Sequence, residues 1–246
     1  MQHRSKKIKK SFFIILVVLI VLSGGSAIYL GNYYHSVDVE KYMNGSWEVS
    51  VKKFDKGWFF DGAGEEKALI FYPGAKVATE AYAPLMYQLA ESGIDCFLVD
   101  MPFHMAFFGM NRAEEIMQEY NYEAWYLGGH SLGGAMAANF AADYVEDHTD
   151  GIRGLLLLAA YPTKDLSTSD MSVVTVYGSE DGVLNMDKIV AGRELMPQDY
   201  KEVCIEDGNH AQFGSYGAQK GDGTAAIPAE EQWARTVEVF VGDESE

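Results

Sequence analysis

The chain predicts an α/β domain, a three-layer sandwich whose mainly parallel, twisted β-sheet carries helices on both faces. Three observations point there. Strand-like and helix-like runs alternate along most of the sequence. The strand-like runs are almost continuously apolar, the pattern of strands buried on both faces. Turn signals separate the runs, with no repeat, low-complexity tract or interior linker after about residue 36.

Taken in order, WEVSVKKF and KGWFFDG resemble a hairpin at the sheet edge, and ALIFYPG (68–74) reads as a buried strand closed by a Pro-Gly turn. TEAYAPLMYQLAESG (79–93) is an amphipathic helix stopped at Gly93, and IDCFLVD (94–100) is the next strand. AWYLGGH (124–130) is a strand running into a helix from Ser131 to about Glu146. IRGLLLLAA (152–160) and MSVVTVYGS (171–179) are further buried strands, followed by a helix from Leu184 to Met196. YKEVCIE (200–206) is the last strand, and Glu230 to Val241 is a closing helix. Cys96 and Cys204 sit in apolar strand-like runs with no metal-ligand spacing around them, so both are expected to be reduced core residues and no metal site is expected.

Length and composition fit this reading. With 246 residues, 48% hydrophobic and 22% charged, the chain can bury a sizeable core, which excludes a disordered segment or a small stapled scaffold. The net charge of −17 hides an asymmetry, since five basic residues lie in the first ten positions and no acidic residue precedes Asp38. The remainder carries 14 basic against 36 acidic residues, a surface that repels phosphate backbones and argues against a nucleic-acid partner.

Residues 12–30 (FFIILVVLIVLSGGSAIYL) hold no charge, and as a helix would extend about 28 Å, close to the bilayer hydrocarbon thickness of about 30 Å. With the basic cluster before it, this run predicts a cytoplasmic tail and single membrane anchor over 1–35, and a globular domain over 36–246 on the outer face. A cleaved signal peptide ending near Gly25-Ser26-Ala27 is the alternative, giving a secreted domain. A lipoprotein signal does not fit, because the nearest cysteine is Cys96.

The chemistry concentrates at Gly129-His130-Ser131-Leu132-Gly133, a G-x-S-x-G sequence with an apolar strand before the serine and an Ala-rich helix after it. Flanking glycines let the chain turn sharply and hold the serine exposed at the strand end. The helix N-terminus that follows favours a developing oxyanion, with the Leu132 N–H as one donor. A serine hydroxyl needs a base to take its proton, and the base needs a carboxylate. His210 lies just past the last strand and Asp181 just past the strand before it, so a parallel sheet brings both to the edge where Ser131 stands. Glu180 is the rival carboxylate, whereas His130 is expected to be packed within the elbow and His104 precedes the serine. The second oxyanion donor is expected from the loop after ALIFY, as the N–H of Ala75 or Lys76.

FYPGAKV, GGHSLGG, YGSEDG and GNHAQFG, in that order, resemble the α/β-hydrolase superfamily, and within it the small lid-poor bacterial hydrolases similar to dienelactone hydrolase. The resemblance covers about residues 45–242 and implies a Ser-His-Asp hydrolase carried by Ser131, His210 and Asp181, without metal or organic cofactor. Dienelactone hydrolases use a cysteine nucleophile, so their lactone substrate does not carry over to an elbow holding Ser131. Only ten residues (YPTKDLSTSD) separate the strands around the position where many lipases of this fold insert a lid. The apolar run holding Phe103, His104 and Phe107 is the candidate acyl pocket. The expected activity is cleavage of a small-molecule or lipid-like carboxylic ester through an acyl-enzyme. A thioesterase or transacylase using the same triad, or a non-catalytic envelope binding protein that keeps the fold, are the alternatives.

Overall fold

The structure, a computed structural model, describes residues 25, 31–148 and 151–243. It divides into two compact units, Met1–Tyr33 and Tyr34–Glu246. The uncharged run 12–30 and the anchor predicted from it lie outside the described residues, Gly25 apart. Among the described residues no helix is long and apolar enough to cross a membrane.

The second unit is organised by one eight-stranded sheet: β1 (Ser50–Phe54), β2 (Gly57–Asp61), β3 (Lys67–Tyr72), β4 (Asp95–Val99), β5 (Ala124–His130), β6 (Ile152–Leu158), β7 (Ser172–Gly178) and β8 (Tyr200–Ile205). Its spatial order is β1-β2-β4-β3-β5-β6-β7-β8. The β1–β2 hairpin joins β4 antiparallel, and every other pair is parallel. The C-terminal ends of β3 to β8 therefore open on one edge, where sites of open α/β sheets form.

Helices α1 (Glu40–Met43), α2 (Ala83–Glu91), α3 (Arg112–Glu119), α4 (Leu132–Asp147), α5 (Met186–Gly192) and α6 (Ala229–Asp243) accompany the sheet. Successive strand side chains point to opposite faces. In β3, Leu69 and Phe71 join a core with Leu85 of α2 and Trp233 of α6, while Ile70 and Tyr72 join a second core with Ile116 of α3 and Ala138 of α4. Both faces are covered, which is why the strands are apolar throughout and the architecture is the expected three-layer sandwich.

The boundaries differ from expectation where local chemistry intervenes. The 79–93 segment opens as a 3-10 turn, Thr79–Tyr82, before α2 begins with Pro84 in its first turn. The expected helix Leu184–Met196 starts at Met186, where Asn185 caps it by accepting the Lys188 N–H (3.2 Å), and gives way after Gly192 to a 3-10 turn, Arg193–Leu195. Helix α3 carried no expectation, and only its Ala113 and Ile116 are buried. Cys96 is buried and free, but Cys204 is exposed and free, which corrects its assignment to the core. The cause is its place on β8, the last strand of the sheet, whose outer residues lack full cover.

Candidate active site

Ser131 stands between β5 and α4 with φ 53° and ψ −121°, a left-handed, strained backbone for a side chain bearing a Cβ. The turn closes because its neighbours have no side chain. A Cβ on Gly129 would lie 2.6 Å from the Gly133 carbonyl carbon, and one on Gly133 would lie 2.1 Å from the Tyr72 oxygen. That second contact also shows how closely α4 presses on the loop after β3. The Ser131 N–H donates to the Leu158 oxygen (2.8 Å), fixing the elbow to β6. The Leu132 N–H belongs to the first turn of α4, where donors have no carbonyl one turn behind them.

His210 follows β8 and Asp181 follows β7, and their side chains are each only 2% exposed. The ring's Nδ1 lies 2.8 Å from Asp181 Oδ2, while Asp181 Oδ1 accepts the N–H groups of Val183 (2.9 Å) and Leu184 (2.7 Å). Both carboxylate oxygens are thus engaged. With Nδ1 on Asp181, Nε2 is the nitrogen left to meet a serine proton. Glu180, the rival carboxylate, is exposed.

Ser131 and His210 share a cavity of about 260 Å³, with walls from Leu132, Ala135, Ala159, Ala160, Tyr161, Val183, Leu184 and Asn185. The expected walls Phe103, His104 and Phe107 are not among its lining residues. Phe103 and His104 adopt left-handed φ of 56° and 54° in the turn after β4, and the rings of Phe103 and Phe107 are 57% and 48% exposed. Tyr161, Val183 and Leu184, which follow β6 and β7, supply the apolar walls instead.

The loop after β3 distinguishes the two oxyanion candidates. The Lys76 N–H donates to the His104 carbonyl (2.8 Å) and is spent, whereas the Ala75 N–H has no protein acceptor among the described residues. Tyr82 ties this loop to the elbow. Its hydroxyl accepts the Gly74 N–H (3.0 Å) and lies 2.7 Å from His130 Nδ1. The tautomer of His130 sets which of the two gives the proton across that contact. Burial first, and the neighbouring His210 second, hold His130 well below its ordinary pKa and therefore neutral. His130 is the packed elbow residue expected from the sequence, 1% exposed, with its ring centroid 4.4 Å from that of His210.

A model of the alpha/beta hydrolase family matches residues 68–234. The chain belongs to the alpha/beta hydrolase family. The resemblance to the dienelactone-hydrolase-like group rests on the motifs alone. No curated protein matches the chain. Solved structures of similar fold include carboxyl esterase 2 of the mycorrhizal fungus Tuber melanosporum (13% identity, 85% of this chain and 89% of that one, TM-score 0.60). An esterase/lipase from an uncultured bacterium (11% identity, 85% and 89%, TM-score 0.59) and a thermostable esterase from Pseudomonas putida ECU1011 (16% identity, 83% and 85%, TM-score 0.55) are similar too.

Within this alpha/beta hydrolase the sequence reading missed Asp222. Its carboxylate accepts N–H groups from both functional loops: Gly182 (3.1 Å) beside Asp181, and His210 (3.2 Å) and Ala211 (2.8 Å) in the histidine loop. Gln232 of α6 does the same from behind, accepting the Asn209 N–H (3.0 Å) and donating to the Asn209 oxygen (2.8 Å). The Gly221-Asp222-Gly223 sequence signals a turn, but nothing local says that its carboxylate reaches two other loops.

Proposed function

We propose that this chain is a serine hydrolase of carboxylic esters, held at the outer face of a cytoplasmic membrane by its N-terminal segment. The observation that carries the reading is the Asp181–His210 pair meeting Ser131 at one cavity, with the serine on a strained strand-to-helix turn. In this reading Ser131 Oγ attacks the ester carbonyl carbon while His210 Nε2 takes its proton. The N–H groups of Leu132 and Ala75 receive the oxyanion, the more so because the Lys76 N–H is already spent. The alcohol leaves with the proton from His210, and water, activated by the same nitrogen, releases the acid. A cavity of about 260 Å³ with apolar walls suits an acyl or alcohol group of modest size. The anchor half of the proposal rests on the uncharged run 12–30 behind a basic cluster.

The test is labelling of the detergent-solubilised full chain with a fluorophosphonate, alongside turnover of aryl acyl esters. Wild type is expected to label, and Ser131→Ala and His210→Ala to lose turnover by about 10⁴-fold or more. Folded wild type that stays unlabelled, or Ser131→Ala that turns over esters like wild type, overturns the proposal.

A further inference from the structure

Five of the eight large apolar side chains exposed among the described residues stand in the segments just after β4 and β7. Phe103, Phe107 and Phe108 follow β4, and Val183 and Met186 follow β7, all at the edge where the C-terminal strand ends open. Trp47, which precedes β1, lies at the opposite edge. The three phenylalanines form one patch, with ring centroids 5.6 Å apart for Phe103–Phe108 and 4.2 Å for Phe107–Phe108, yet each stays about half exposed. Residues 101–110 (MPFHMAFFGM) hold no Asp, Glu, Lys or Arg, on a chain with a net charge of −17. Single exposed apolar residues are ordinary on a protein surface, whereas a contiguous aromatic patch marks a contact site. The patch is also held in place, since the His104 carbonyl takes the Lys76 N–H (2.8 Å) and fastens the segment to the loop after β3.

A second observation says what covers it. The uncharged run ends at residue 30, and Tyr34 is pinned to that same loop. The Tyr34 N–H donates to the Lys76 oxygen (2.7 Å), and the Ala78 N–H donates to the Tyr34 oxygen (2.8 Å). From residue 30 to Tyr34 the chain can reach at most about 14 Å. Whatever layer takes up residues 12–30 therefore lies within that distance of the loop to which the aromatic segment is bonded.

We propose that the Phe103, Phe107 and Phe108 patch docks the domain on the lipid bilayer with its active-site edge toward the membrane, so that the site takes amphiphilic esters dissolved in that leaflet. The proposal rests on the tethered-hydrolase reading and names its substrate class. Phenylalanine rings enter the interface to a depth of about 5–10 Å without needing charge, which suits a patch on an acidic protein that anionic lipid repels.

The test places an NBD fluorophore on the full chain in phosphatidylcholine vesicles. The dye sits at Phe108→Cys or, separately, Phe107→Cys, with Trp47→Cys as the opposite-edge control, all with Cys204→Ser; Cys96 is buried and does not react. Expected is a blue-shifted emission at 107 and 108 that lipid with brominated acyl chains quenches about threefold or more beyond the control. Water-like emission at both positions overturns the proposal, whether or not the chain floats with the vesicles. So does a blue shift that brominated lipid leaves unquenched, which assigns the patch to a protein partner or a second copy. Fluorophosphonate labelling in the same vesicles separates the two readings. Labelling without quenching removes the docking and leaves the hydrolase, and quenching without labelling does the reverse.

Discussion

The two flanks of Ser131 are built on opposite principles. On one side the loops after β7 and β8 are drawn together by polar bonds around a buried pair: Asp181 holds His210, each side chain 2% exposed, Asp222 gathers both loops, and Gln232 grips Asn209 from α6. On the other side the segment after β4 is uncharged over residues 101–110 and shows three aromatic rings to its surroundings. Polar groups that must keep one geometry out of water need every partner supplied, because a buried donor or acceptor left unpaired costs about 1–3 kcal/mol. The aromatic flank has no such internal obligation, so its exposure is informative about what lies outside the protein. Between them, Tyr82 joins Gly74 to His130 and keeps the loop after β3 in register with the elbow.

The polar flank is broken most severely at Asp181→Asn. The amide oxygen still accepts the Val183 and Leu184 N–H groups, but the NH2 then faces His210 Nδ1 and cannot accept its proton, so the ring loses its fixed tautomer. We expect kcat on an aryl ester to fall about 10⁴-fold with the unfolding midpoint little changed. A fall under about tenfold would make the pair a structural contact only. Asp222 is expected to act one step further out, as a positioning residue. Asp222→Ala removes the acceptor for three N–H groups of the two loops and is expected to lower kcat about 10- to 100-fold with KM nearly unchanged, Asn recovering part of the loss. Equal losses in kcat and stability, with no recovery by Asn, would return Asp222 to a merely structural role.

Much of this layout is legible in the sequence, for physical reasons that can be named. A parallel sheet buried on both faces writes continuous apolar runs, and the residues just past those runs must meet at one edge, which is how Ser131, Asp181 and His210 come together from separate loops. What hid was whatever depends on position across the sheet or on backbone conformation. Cys204 sits in a run like the others, and only the strand order reveals β8 as an edge. Phe103 and His104 turn with left-handed φ and no glycine to announce it, so an aromatic run that reads as pocket wall faces outward. The true walls, Tyr161 and Val183, lie in short loops with no pattern of their own. The run 12–30 is as plain a signal as any, yet it lies outside the described residues, Gly25 apart, and stands on composition alone.

His130 lies at the seam between the flanks and gives the smallest effect, one read in stability. Burial, and then the adjacent His210, push its pKa well down, so the folded protein keeps the ring neutral under conditions where the unfolded chain, with an ordinary value near 6.5, takes up a proton. Below that pH the unfolded state binds more protons than the folded one, and stability falls as pH falls until the depressed folded pKa is reached. Above about pH 7 neither state is protonated and the residue exerts no pH dependence. Urea unfolding between pH 5 and 7.5 is expected to show wild type losing stability more steeply on acidification than His130→Gln, by about 1.4 kcal/mol per pH unit once the unfolded-state histidine is fully charged. Gln keeps an amide that can give or take a hydrogen bond with the Tyr82 hydroxyl, so a uniform offset between the two curves would report packing, and only the difference in slope reports the proton. Parallel curves would mean that His130 titrates normally in the fold, and the seam would then be as open to water as the aromatic flank.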